Sequence, residues 1–65
     1  MNIMNQEQYK LLLSKLRLPV HISYISDYIL RVSEEETLKI LNELIEKGDV
    51  IESDRFKGYY VIKNN

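Results

Sequence analysis

The chain has 65 residues with no Cys, no Trp, one His, one Pro and two Gly; 45% are hydrophobic, 29% are charged, and the formal net charge is -1. This length suits a single domain over residues 1–65. The missing cysteines exclude a disulfide framework and a Cys-based zinc site, no apolar run approaches the ~18 residues of a membrane span, and the apolar content is too high for disorder. The stretch from Met1 to Glu7 lacks the basic start and apolar run of a secretory signal, so the expectation is a small soluble cytoplasmic domain.

The first predicted element runs from Asn5 to Leu18. Asn5 is a good N-cap, Gln8 stands three residues on at capping-box spacing, and Met4 with Tyr9 has the spacing of a hydrophobic staple. Tyr9, Leu12, Leu13 and Leu16 trace one buried helical stripe. Pro19 disfavours helix at Leu18 and is expected to end the segment there. Val20, His21 and Ile22 read as a short extended piece. Ser23 is the expected N-cap of a second helix reaching about Arg31, with Ile25, Tyr28, Ile29 and Val32 as its apolar face. Ile and Tyr are mediocre helix formers, so tertiary packing must hold this element.

The third helix carries the clearest local signals. Ser33 followed by Glu34, Glu35 and Glu36 makes a capping box and places three carboxylates at the positive end of the macrodipole. Leu38, Leu41 and Ile45, widened by Ile40 and Leu44, form its predicted stripe. Lys47 and Gly48 suit its C-terminus. A hairpin then follows: residues 49–53 and 59–63 have strand propensity, and Asp54–Gly58 reads as the connecting turn. A lone hairpin is marginal, so it is expected to pack on the helices.

This element order, with Val20–Ser26, Val32–Thr37, Leu41–Ile51 and Gly58–Ile62 as the residues that carry it, resembles the winged helix-turn-helix superfamily over nearly the whole chain. The resemblance implies an α+β fold of three helices plus a C-terminal β-hairpin wing. It also implies a small DNA-binding protein, a transcriptional regulator whose third helix and wing dock on double-stranded DNA. Two features depart from the pattern. Leu30, Arg31 and Val32 stand where the turn between the second and third helices usually carries Gly. The third helix is acidic as well, with five Glu against two Lys from Ser33 to Gly48, a net of -3.

On this reading the nucleic-acid contacts are Ser33, Thr37, Lys39 and Asn42 of the third helix and Arg55, Phe56 and Lys57 of the wing tip. Two cations and an aromatic ring on a protruding turn suit phosphate tracking or minor-groove entry; the alternative is a solubilising turn with Phe56 folded back on the core. The three first-turn glutamates repel phosphates and are read as capping residues. The first helix is basic, with Lys10, Lys15 and Arg17 against Glu7; a solvated exterior is the ordinary reading of such charges. Two copies would double the phosphate count, so a homodimer is expected. The competing class is a protein-interaction winged helix, a complex subunit, adaptor or oligomerisation module, with Glu34, Glu35, Glu43 and Tyr59 at the interface.

No catalytic site is expected. The serines lie at caps without a base partner, and no Gly-rich phosphate loop exists. His21 is the only histidine, so a half-buried, hydrogen-bonded role is expected of it rather than a metal ligand. No cofactor is expected. Of the adjacent pair Tyr59 and Tyr60, which must face opposite sides of a strand, Tyr59 is expected to be the exposed one.

Overall fold

Three helices and a small antiparallel sheet of three strands make up residues 5–63, the part of the chain that the structure, a computed structural model, describes. In chain order the elements are α1 (Gln6–Lys15), β1 (Val20–His21), α2 (Ile22–Tyr24) continuing into a π-helical segment (Ile25–Leu30), α3 (Glu34–Lys47), β2 (Val50–Glu52) and β3 (Tyr59–Ile62). The strand order is β1-β3-β2. The proposed staple between Met4 and Tyr9 lies outside the described residues.

In α1 the capping box closes reciprocally: Asn5 N donates to Gln8 Oε1 at 2.9 Å and Gln8 N donates to Asn5 Oδ1 at 2.9 Å. Leu12 and Leu16 are fully buried, with Tyr9 and Leu13 packed beside them, as the stripe requires. The helix ends at Lys15, short of the predicted Leu18. Leu16 N turns back to Leu13 O at 3.2 Å, and Leu16 O accepts from Ile62 N of β3 at 2.9 Å. The carbonyl at the helix end is therefore satisfied by the sheet, and Arg17, Leu18 and Pro19 lead out as an exposed connection.

The second helix departs most from its prediction. Its N-cap is His21, whose Nδ1 accepts from Ser23 N at 3.1 Å; Ser23, the expected cap, already lies inside the helix. From Ile25 the spiral widens to the π form. In that i→i+5 spacing, residues four and five apart return to nearly the same face. Buried Ile25 is thus joined at the core by Ile29 and Leu30. Tyr28, predicted on the apolar face from α-helical spacing, is instead 72% exposed. Its ring lies 5.0 Å from that of exposed Tyr24. Arg31 closes the segment at φ 60 and ψ 45, the left-handed region that Gly would normally fill. Val32 N reaches back to Ser26 O at 3.0 Å.

α3 starts and stops where predicted, with the Ser33 half of the expected capping box formed. Ser33 Oγ accepts from Glu36 N at 3.1 Å. At the other end Gly48, at φ 88, donates to Ile45 O at 3.0 Å while Asp49 N donates to Leu44 O at 2.9 Å, the two bonds of a Schellman cap. The buried stripe is Thr37, Ile40, Leu41 and Leu44, with Ile45 beside it. Leu38, predicted within the stripe, is 40% exposed. Thr37 takes the core position because its hydroxyl is satisfied internally, donating to Ser33 O at 2.8 Å.

The sheet covers the other side of this core. β2 pairs with β3 through Val50↔Ile62, Ile51↔Val61 and Glu52↔Tyr60, and β1 pairs through Val20↔Tyr60 and His21↔Tyr59. Strand alternation turns Val50, Tyr60 and Ile62 to the helices, where Val50 and Tyr60 are buried. The opposite face carries His21, Tyr59, Val61 and Ile51. The predicted hairpin is thus two strands of a three-stranded sheet, its third strand supplied by the short piece before the second helix.

Candidate nucleic-acid interface

The third-helix residues proposed to contact nucleic acid do not share one surface. Thr37 is fully buried, so the structure removes it from any contact surface. Ser33 is exposed, but its hydroxyl and carbonyl are engaged in capping the helix. Lys39 and Asn42 do face outward, together with Glu35, Glu43 and Glu46. Lys39 stands one turn from both Glu35 and Glu43, the i, i+4 spacing at which opposite charges meet on a helix. Lys39 thus shares its outward face with two carboxylates. Glu34 is exposed as well, at the capped end.

The wing tip is built differently. Ser53 Oγ accepts from both Arg55 N and Phe56 N at 3.2 Å, and Tyr59 N closes the turn onto Phe56 O at 3.1 Å. Gly58, at φ 83, donates to Glu52 Oε2 at 2.9 Å. These bonds fix the backbone on both sides of Phe56 and leave Arg55, Phe56 and Lys57 exposed together, Phe56 at 54%.

Sequence reasoning missed what stands behind this turn. β1 sets His21 opposite Tyr59, and their rings meet edge to face with centroids 5.0 Å apart. Tyr59 in turn meets Phe56 at 5.8 Å. Tyr59, expected to be exposed, is therefore half-buried between two rings. Pro19, Phe56 and Tyr59 line a surface depression of about 290 Å³. The sequence signal was the short extended piece Val20, His21 and Ile22, which sets His21 near the hairpin but is too short a run to fix its pairing.

His21 is half-buried, and its Nδ1 lies 2.9 Å from Ser23 Oγ in addition to the cap bond from Ser23 N. Ile22 N donates to Gly58 O at 2.9 Å, which ties the start of the second helix to the wing. Tyr60, on the inner face, has its phenol pKa raised from 10.0, first by burial and then by the Glu52 carboxylate across the ladder.

Among the described residues, no three His, Asp or Glu side chains form a group able to hold a metal ion. Among the same residues, no helix is long and apolar enough to cross a membrane. No protein-family model matches the sequence, and no curated protein or solved structure was found similar to it.

Proposed function

We propose that the chain is a winged-helix DNA-binding protein, a transcriptional regulator that docks on duplex DNA through its third helix and wing as a homodimer. The observation that carries this reading is the wing tip, where Arg55, Phe56 and Lys57 are held exposed on a turn fixed by its own hydrogen bonds. The β1-β3-β2 sheet and the short turn between the second and third helices support it, because they are compatible with a winged helix. Lys39 and Asn42 supply the helix side of the contact.

Salt-dependent binding to mixed-sequence duplex is the test. Affinity should fall steeply with salt, and Arg55→Ala with Lys57→Ala should flatten the slope by about 2, one for each lost phosphate contact. No binding at ~50 mM salt, where phosphate contacts are favoured, overturns the reading. Sedimentation at micromolar concentration checks the dimer, and a monomer removes it.

One observation favours a second reading, a protein-interaction module. The outward face of α3 carries Glu35, Glu43 and Glu46 around Lys39, which suits a basic protein surface better than phosphate. Under this reading a partner bound in the native host should be lost when Glu35 and Glu43 are reversed to Lys, and duplex DNA should not bind.

A further inference from the structure

We propose that the wing tip is a stacking platform for an unpaired nucleobase, with Phe56 and Tyr59 as its ring surface and Arg55 and Lys57 as flanking phosphate contacts. This rests on the nucleic-acid reading above and narrows it to a kind of substrate.

An exposed Phe normally gains by folding back against apolar surface. Phe56 is 54% exposed, on a backbone that Ser53 Oγ and Tyr59 N fix in place. The ring is thus presented without the ordering cost that a loose loop would add on binding. It is also backed: Phe56 meets Tyr59, and Tyr59 meets His21, in a continuous run of edge-to-face contacts. Beside the run lies the depression walled by Pro19, Phe56 and Tyr59. Aromatic rings supported in this way offer a π-face to any base, whatever its sequence.

Charge selects a nucleic acid over an apolar peptide as the occupant. Arg55 and Lys57 flank the ring and are exposed. Glu52, the nearer carboxylate on the strand, has Oε2 engaged by Gly58 N. Asp54 is the one carboxylate within the turn, against two cations. A base inside a duplex has both faces covered by its neighbours and cannot use such a platform; a base in a single-stranded extension can. The carboxylates around Lys39 disfavour deep seating of α3 against phosphates, so the wing carries the larger part of the contact.

The test compares a blunt duplex with the same duplex bearing a short single-stranded overhang, 2-aminopurine replacing the first unpaired base. Binding is read by anisotropy and by 2-aminopurine fluorescence. The overhang should bind about fivefold or more tighter than the blunt end, the scale expected of one stacked base, and the fluorescence should be quenched on binding. Phe56→Ala should bring the affinity ratio to about one, and Phe56→Trp should keep it; circular dichroism checks that both variants fold. Equal affinity for the two duplexes, or a ratio unmoved by Phe56→Ala, overturns the platform and leaves the duplex reading standing. Binding to the overhang without binding to the blunt duplex supports the platform and overturns the duplex reading. Binding to neither overturns both.

Discussion

Both ends of α3 are closed by residues that touch it in sequence: Ser33 caps Glu36 N, and Gly48 with Asp49 returns to Ile45 and Leu44. The wing end of the sheet is closed across the chain, with His21 against Tyr59 and Ile22 N on Gly58 O. The two regions also differ in charge, because α3 turns carboxylates outward while the wing tip turns out Arg55 and Lys57. The helix can begin to form from local bonds, whereas the wing geometry exists only once β1, the second helix and β3 have met. The region proposed to bind nucleic acid is therefore the one that depends on the whole fold, and its binding properties should be more sensitive to distant substitutions.

The largest effect should come from breaking the core on which both regions rest. Leu41→Ala removes a fully buried side chain and should cost about 2–5 kcal/mol, a large part of the stability of a domain this small. Chemical denaturation should show the loss in helix and sheet signals together.

The two glycines then separate local from tertiary cost. Both have positive φ, but a Cβ at Gly48 meets nothing within 4 Å, while at Gly58 it falls 3.2 Å from His21 Nε2. Gly48→Ala should cost about 1 kcal/mol, the strain of a left-handed L-residue. Gly58→Ala should cost roughly 2 kcal/mol, strain plus displacement of the His21 ring. Combining Gly58→Ala with His21→Ala sharpens the comparison: the ring that opposes the new methyl is gone, so the double variant should lose about 1 kcal/mol less than the two single losses together. Strict additivity would show that the ring and the glycine are independent.

Removing single caps gives changes of the same order as the glycine substitutions. Ser33→Ala should cost about 1 kcal/mol and leave the wing unaltered. His21→Ala removes a cap of similar worth and a ring contact of about 0.5–1.5 kcal/mol, and it should also disturb the tyrosine signals of the sheet.

The smallest effect at neutral pH, and a distinct one in alkali, belongs to Tyr60. Its folded-state pKa is raised above 10.0 by burial and by Glu52. Its contribution is therefore fully present below about pH 10, the unfolded value, and is lost as pH rises through the higher folded value. Denaturation midpoints measured up the alkaline range should fall there, and Tyr60→Phe should remove that part of the fall.

Much of the molecule is legible in the sequence. The stripe of α1 and both ends of α3 are short-range signals, written in residues that act within one or two turns. Tyr28, Leu38 and Thr37 depart from the helical pattern for a common reason, whereas Ser23 yields its cap to the His21 ring two residues earlier. Periodicity assumes a regular spiral and assigns burial by residue type. The π-helical widening moved Tyr28 outward, and an internal hydrogen bond let Thr37 occupy the core in place of Leu38. At the candidate site, Arg55, Phe56 and Lys57 could be named from the turn alone, but His21 and Pro19 could not, since a two-residue strand carries no pattern that identifies its partner.

Local signals in the chain place the strong helix caps, the Leu12 and Leu16 positions of the first stripe, and a basic, aromatic turn between two strands. Chain folding adds that Val20 and His21 join the sheet, that the second helix widens and ends on a left-handed Arg31, and that the rings of His21, Tyr59 and Phe56 line up at the β2–β3 turn. The physical reason is range: caps and turns are settled by groups a few bonds away, while strand pairing and ring contacts require segments that meet only when the core closes.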